Sequence, residues 1–278
     1  MTCKLGDTLS NGREMLRAAG VEDSAREADR LLAFVLGKDL AYLRLNSHDP
    51  LAEDVSNRFL ELITRRAARE PFSHLTGKRA FWKSEFIVTP DVLDPRPETE
   101  LLVEFALAHR PRTILDLGTG SGAIAISAAL DLRDAHVTGV DISAAALDVA
   151  RANAQRLGAT NMTLRQSNWF SNVTGQFDLI LSNPPYIPQS DMDTLSPEVR
   201  LYEPHQALTP GGDGLDPYRI IFAQAAVYLG QGGRIAVEFG IDQGPDVEQI
   251  AAQHGYQDIT LHDDLSARPR VLSAQIAN

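Results

Sequence analysis

Arg112–Leu130 reads RTILDLGTGSGAIAISAAL, and its three parts decide the fold class. An apolar, strand-forming run (Thr113–Leu117) meets a turn in which Gly118, Gly120 and Gly122 alternate, and a helical segment follows from Ala123. Glycine in such a turn lets the backbone approach a ligand closely. The turn also opens a helix N-terminus, whose free N–H groups favour an anionic group such as a carboxylate. The spacing is G-x-G-x-G, whereas the dinucleotide fingerprint asks for G-x-G-x-x-G. Taken alone, the loop also fits a tight strand-to-helix connection with no ligand.

The same rhythm continues on the C-terminal side. Ala135–Gly158 (AHVTGVDISAAALDVARANAQRLG) repeats strand, loop and helix, with Ser143 as the expected N-cap. Met162–Trp169 (MTLRQSNW), Phe177–Asn183 (FDLILSN) and Gly232–Gly240 (GGRIAVEFG) supply three further strands, and Tyr256–Gln275 offers two extended pieces around a loop. This alternation predicts an α/β domain with a doubly wound, mostly parallel sheet that holds its ligand at the carboxyl ends of the strands.

Toward the N-terminus the period changes to that of helices. In Ser24–Asp39 (SAREADRLLAFVLGKD), Ala28, Leu31, Leu32, Val35 and Leu36 recur at helical spacing; Ser24 and Glu27 read as a capping box and Gly37 as the C-terminal stop. Leu51–Glu70 repeats the pattern with Val55, Phe59, Leu62 and Ile63 before Pro71. Such faces need one another, so a small helical bundle is expected over residues 1–72. Residues 73–98 carry Phe81, Trp82, Phe86, Ile87 and Val88 ahead of a proline-rich break, which predicts a β-hairpin linker; the sheet domain then occupies 99–278.

Composition narrows the classes of partner. The chain has 278 residues, 44% of them hydrophobic and 23% charged, which is ordinary for a soluble protein with a substantial core. Its single cysteine, Cys3, excludes an internal disulfide framework and fits a reducing compartment; the N-terminal stretch lacks the apolar core of a secretory signal. Apolar runs all fall short of the roughly 20 residues that a bilayer-spanning helix needs. The expectation is therefore a cytoplasmic protein with no membrane association. The net charge of −11 divides into +1 over residues 1–80 and −12 over the rest, and a field of that sign opposes stable binding to nucleic-acid phosphates.

Two further features carry chemistry. Asp141 ends the second strand, 21 residues past Gly120, where a carboxylate can accept hydrogen bonds from both ribose hydroxyls of a nucleoside; it can equally serve the following helix N-terminus. Trp169 follows the third strand and can cover an adenine face or pack in the core. Asp178–Pro188 reads DLILSNPPYIP: a buried strand that stops on Asn183 because Pro184 and Pro185 offer no N–H, with Asn183 biased to extended backbone by the proline that follows. Such a peptide is rigid.

With GTGSG at 118–122, VDIS at 140–143 and SNPPY at 182–186 in this order, the chain resembles the class I S-adenosylmethionine-dependent methyltransferases, whose Rossmann-like sheet usually finishes with an antiparallel last strand. More narrowly it resembles the HemK/PrmC family, which methylates the glutamine of the GGQ loop in peptide chain release factors. That match rests on the helical N-terminal part, VLDPRPETE (92–100), LDLGTGSGAIAI (115–126), SNPPYI (182–187), YEPHQALTPGGDGLDPYR (202–219) and DLSARPRV (264–271), and it covers nearly the whole chain.

The resemblance implies S-adenosyl-L-methionine bound by Gly118, Thr119, Gly120, Ser121, Gly122, Asp141, Asn168, Trp169 and Asn183. It also implies a catalytic group of Asn183, Pro184, Pro185 and Tyr186. The Asn183 side-chain oxygen and the Pro184 carbonyl would each take one N–H of the substrate amide, with Tyr186 packed against its plane. No metal or covalent nucleophile is implied; the release factor is the partner and the helical part its docking domain, and the chain is taken by default as a monomer.

Two positions depart from the family pattern: Asn168, where an acid is common, and Asp94, where an aliphatic residue is usual. Arg96 is a candidate brace for the site floor or an ordinary salt-bridge arginine. His74, His205 and His262 have no metal-ligand spacing, and Ser121 has no hydrolase motif around it. Ser190–Pro217 is a lid, a docking surface or a plain connection.

Overall fold

The computed structural model describes residues 4–276; Cys3 lies outside them. Two compact units emerge. One runs to Gly77 and takes in Ser196–Tyr202, and the other holds Lys78–Leu195 and the chain from Glu203 onward.

The first unit contains α1 (Leu5–Ala18), α2 (Ser24–Leu36), α3 (Leu40–Leu45), α4 (Glu53–Ala67) and α5 (Phe72–Thr76). Leu16, Leu31, Leu32, Phe59 and Ile63 are fully buried in its core, which is where the helical period placed the last four. Helices α1 and α4 approach closely at Gly12, where an added Cβ would come within 2.6 Å of the Phe59 ring. Gly37 ends α2 in the left-handed region (φ 62°), as expected of a glycine stop.

The capping box does not form. Asp23, at φ 48°, is the N-cap residue, and Glu27 instead meets Arg66 at 2.9 Å, a part-buried charged pairing that outweighs a local bond to its own helix end.

In the second unit, β1 (Lys78–Phe81) and β2 (Ser84–Ile87) form an antiparallel hairpin. The sheet domain follows with α6 (Glu100–His109), β3 (Thr113–Leu117), α7 (Ala123–Asp131), β4 (His136–Asp141), α8 (Ala144–Leu157), β5 (Met162–Gln166) and β6 (Phe177–Ser182). Next comes α9 (Pro197–Tyr202), which belongs to the helical unit: Arg66 and Arg69 each bond Glu198 at 3.0 Å, and the Tyr202 hydroxyl donates to the Ala68 carbonyl. The chain closes with α10 (His205–Leu208), α11 (Asp216–Tyr228), β7 (Leu229–Glu238), α12 (Gly244–Gln253), β8 (Tyr256–Asp263) and β9 (Pro269–Ile276).

Seven strands stand in the order β5-β4-β3-β6-β7-β9-β8, parallel except for the pairings of β9, the last strand, which is antiparallel to both neighbours. Both faces are buried. Leu115, Leu117 and Ile180 point into a core closed by α11 and α12, while Ile114, Leu179 and Leu181 point into one closed by α6 and α7. That two-sided burial explains the near-continuous apolar strands of the sequence.

The expected boundaries shift in three places. The helical unit reaches Gly77 because Phe72–Thr76 makes one more helical turn after Pro71. The hairpin is part of the sheet unit, since Phe81 and Phe86 are buried with Leu102 and Val103, and it is no free-standing linker. Ser196–Tyr202 leaves the sheet unit altogether.

Asn153 of α8 locks the hairpin to the glycine turn. Fully buried, it exchanges hydrogen bonds with the Ile87 backbone (2.7 and 3.0 Å) and donates to the Ser121 carbonyl at 3.0 Å. Replacement by alanine strands a buried N–H and two carbonyls, so Asn153→Ala is expected to lose about 1–3 kcal/mol, read as a lower urea midpoint at unchanged slope.

Candidate active site

Register alone assembles the site. Leu117 is paired with Val140 on one side and with Ser182 on the other, and Ser182 is paired with Val237. The next residue on each strand therefore lies level: Asp141, Gly118, Asn183 and Glu238 form a row along the carboxyl edge of the sheet. A cavity of about 520 Å³ opens over this edge, lined by Gly118, Gly120, Asp141, Asn168, Trp169, Asn183 and Pro185 from the strand ends. Val92 and Leu93 line it from the segment after the hairpin, and Pro204, Ala207, Thr209 and Pro210 from the segment after α9.

The glycine turn wraps the end of β4: the N–H groups of Gly118 and Thr119 both donate to the Val140 carbonyl at 2.9 Å. Gly118 (φ 72°) and Gly120 (φ 54°) adopt backbone that side chains disfavour, and an added Cβ on either would meet only open space. The turn is thus a bare backbone cradle against the cavity.

Asp141 serves the following helix N-terminus and also lines the cavity. One oxygen accepts from Gly120 N–H and the other from Ser143 N–H, each at 2.9 Å, while the carboxylate still lines the cavity with lone pairs to spare. Burial raises its pKa and those backbone bonds oppose the rise. Ser143 caps α8 as expected, accepting from Ala146 N–H at 3.1 Å.

Trp169 sits at φ 50°, a costly conformation for an aromatic residue, held by a hydrogen bond from the Ser167 hydroxyl to its carbonyl at 2.7 Å. Asn168 is exposed beside it.

Five expected site residues lie behind the cavity wall. Thr119 is buried, its hydroxyl donating to Asp116 at 2.6 Å. Ser121 and Gly122 are buried beneath the turn, and Pro184 is buried after Asn183. Tyr186 turns inward: its hydroxyl donates to Glu238 at 3.4 Å, and its carbonyl accepts from Gln243 at 2.9 Å. Burial, with Glu238 adding to it, holds the phenol well above its usual pKa, so it remains a donor.

Asn183 donates its side-chain N–H to Thr99 at 3.1 Å. Arg96 places one guanidinium nitrogen 2.6 and 2.8 Å from the two oxygens of buried Glu203, a brace between the segment before α6 and the segment before α10. Asp94, the unusual acid, is accommodated as an ion-pair partner of Arg79 at 3.7 Å and of Arg96 at 4.0 Å.

Comparison with known proteins agrees with this geometry. Residues 88–215 match the family model of the methyltransferase small domain, and residues 7–77 match that of the PrmC N-terminal domain. A release factor glutamine methyltransferase of Cereibacter sphaeroides is 46% identical over 98% of this chain and 99% of its own, and one of Geobacter sulfurreducens is 42% identical over 95% and 94%. The chain belongs to the release factor glutamine methyltransferase family.

The fold is shared more widely. A Pyrococcus furiosus methyltransferase superposes with a TM-score of 0.54 at 18% identity, covering 82% of this chain and all of its own. A T. thermophilus 16S rRNA methyltransferase in complex with AdoMet and guanosine gives 0.52 at 20% identity, covering 72% of this chain and 50% of its own.

The sequence singled out none of Thr99, Glu203, Glu238 and Gln243; the first three stand inside quoted stretches without a role. The available signal was the acid in IAVEF (235–239), since a charge closing an apolar central strand must find partners.

Asp116 gives the site region a pH signature. Its carboxyl group is fully buried, one oxygen bonded by Thr119, and burial pushes its pKa up to about 7. A carboxyl group with a raised folded-state pKa adds stability at pH below its unfolded value, and that stability is lost as pH rises through about 7. Urea unfolding at about pH 5.5 and about pH 8 is therefore expected to show a larger loss for the wild type than for Asp116→Asn.

Proposed function

We propose that the chain methylates the side-chain amide nitrogen of the glutamine in the GGQ motif of peptide chain release factors, with S-adenosylmethionine as methyl donor. One observation carries the reading. Asn183, held by a strand end and two prolines, stands level with the glycine cradle and Asp141 in a cavity of nucleoside size, and its own amide nitrogen is already engaged by Thr99. Family membership gives the substrate: curated relatives 46% and 42% identical over nearly the whole chain carry the name of this activity.

The donor set fits the cofactor. Asp141 is placed to accept from ribose hydroxyls, Gly118 and Gly120 present backbone with open space above it, and Trp169 offers an aromatic face. When bound, S-adenosylmethionine supplies an electrophilic methyl group on a sulfonium. Asn168, a neutral amide, is a weaker acceptor for an adenine amino group than a carboxylate would be.

What the chain's own residues do is orient the nucleophile. An amide nitrogen is weakly nucleophilic because its lone pair is delocalised, and its N–H groups need acceptors once water is excluded. The Asn183 side-chain oxygen, which lines the cavity, is such an acceptor; Pro184, expected to supply a second one, is buried behind the wall and serves instead to fix the Asn183 backbone, so the gain is orientational. Tyr186 supports the floor through Glu238 and Gln243 and is not a proton donor to the reaction.

The helical unit, close to neutral over residues 1–80, is the docking part for the protein substrate, and the net −12 of the remainder disfavours stable nucleic-acid binding. The same reading takes the chain as a cytoplasmic monomer; among the described residues no helix is long and apolar enough to cross a membrane.

Purified release factor incubated with isotopically labelled cofactor is expected to gain one methyl group on the loop glutamine, located by mass spectrometry. Equal labelling of a factor lacking that glutamine would move the target elsewhere. Asn183→Ala is expected to lower turnover by roughly 5- to 150-fold through the unpaired substrate N–H.

A further inference from the structure

The amino edge of the sheet, opposite the candidate active site, carries a second cavity of about 330 Å³. Its charge runs against that of the surrounding chain. Arg110, Arg112 and Arg234 line it with Asp178 as the one acid, a balance of +2 within residues 81–278, whose net charge is −12.

Three parallel strands bring these groups together. Ile114 of β3 is paired with Leu179 of β6, and Leu179 with Arg234 of β7, so Arg112, Asp178 and Arg234 meet at one edge. Arg110 joins them from the end of α6, where it caps the helix at φ 46° and Pro111 leads the chain toward β3. Between β6 and β7 the register jumps: Phe177 pairs with Leu229 but Leu179 pairs with Arg234, and the extra residues put the bare backbone of Gly232 on the cavity wall.

Guanidinium groups around one small cavity repel one another, and neighbouring acids ordinarily relieve the repulsion. Here no such relief is supplied. Among the described residues, none of these three side chains forms a hydrogen bond or an ion pair. Asp178 is committed to backbone: one of its oxygens accepts from Arg112 N–H at 2.8 Å and from Thr113 N–H at 3.0 Å.

The end of a helix accounts for part of the cluster. His109 and Arg110 close α6, where positive charge complements the helix dipole, and His109 Nδ1 lies 2.8 Å from the Phe105 carbonyl oxygen. Half-buried Arg234 stands in a strand and Arg112 just before one, so the helix end explains neither.

A ligand that satisfies this wall has a compact charge near −2 and several acceptor oxygens. Phosphate fits on both counts, since its monoester carries close to two charges and three terminal oxygens, and the guanidinium fork matches its geometry. A single carboxylate would leave half of the charge unanswered. The volume, at the low end of small-molecule sites, also leaves room for a small organic group.

We propose that this cavity binds a phosphate dianion, free or as the head of a small monoester, through Arg112 and Arg234, with Arg110 adding charge. The site lies at the opposite strand ends from Gly118, Asp141 and Asn183, and it does not depend on the reaction assigned to them.

The test is isothermal titration calorimetry at low salt and about pH 8, where phosphate is a dianion. Inorganic phosphate, ribose 5-phosphate, ribose and a single-stranded RNA oligonucleotide are titrated into wild type, Arg112→Gln, Arg234→Gln and Arg58→Gln, with and without saturating S-adenosylhomocysteine. Arg58, exposed on α4 of the helical unit, controls for the loss of one positive charge. The expected result is one-site binding of ribose 5-phosphate that each cavity variant weakens roughly tenfold or more. Arg58→Gln is expected to change it less than about twofold, S-adenosylhomocysteine to leave it intact, and ribose to give no binding. Tighter binding of ribose 5-phosphate than of phosphate supports an organic monoester as the ligand, and equal binding supports free phosphate.

Lack of saturable binding of either phosphate by about 10 mM would overturn the proposal. So would equal weakening by Arg58→Gln, which marks a diffuse field, or loss of binding with S-adenosylhomocysteine, which puts the anion in the other cavity. Oligonucleotide binding that is tighter than either phosphate and lost in the cavity variants would replace the small ligand with a nucleic-acid backbone. Should Arg234→Gln fail to fold, the exposed Arg112→Gln decides alone.

Discussion

Parallel register is the constraint on which the site depends. Adjacent strands β4, β3, β6 and β7 run the same way and end within one residue of each other, so Asp141, Gly118, Asn183 and Glu238 reach the same edge without any long-range adjustment. In a parallel sheet the connections must cross back over the faces, which leaves the carboxyl edge free of covering helices and open to loops. The two buried faces supply the stiffness. Leu115 and Ile180 on one side and Ile114 and Leu181 on the other are fully buried, and a strand packed on both faces cannot slide its terminal residue toward or away from a ligand without disturbing both cores.

Along this edge three acids sit in three settings, and their differences follow from what each can bond. Asp141 takes two backbone N–H groups and keeps contact with the cavity. Asp116 has a single side-chain donor, Thr119, and full burial, which favours its protonated form up to about neutral pH. Glu238 is as deeply buried, with one hydroxyl donor, Tyr186, and Arg270 nearby, and burial raises its pKa likewise to about 7. Desolvation is the common cost, and the number and kind of donors decides how much of it is offset. Only the first of these acids faces the cavity, so the edge presents one carboxylate outward and retains two for internal order.

The sheet was legible because its signals are local. Apolar runs, alternating glycines and the asparagine–proline stop each act within a few residues, and the structure places β3, β4, β6 and β7 where those signals lie. What escaped reading depends on partners far along the chain. Glu27 abandons the capping box for Arg66, and Glu198 carries a whole segment into the helical unit through Arg66 and Arg69. Tyr186 looks from sequence like a residue that faces a ligand, but Glu238 and Gln243, both more than fifty residues downstream, draw it inward. Thr99 is an unremarkable hydroxyl in PRPETE until the fold sets it against the Asn183 amide.

The placement of charge also bears on why a weak nucleophile suits this pocket. A carboxylate in direct contact with the substrate amide would attract a cationic donor and a proton alike, and would hold an N–H more tightly before the nitrogen reacts than after. A neutral amide oxygen, such as the Asn183 side chain offers, can instead hold an amide through geometry, with less penalty when its bonding changes. Glu238 is buried at the same edge, where the Tyr186 hydroxyl donates to one of its oxygens. Arg96 and buried Glu203 neutralise each other. Apart from Asp141, the acids at this edge are thus held inside the fold, and the group that Asn183 presents to the cavity is neutral.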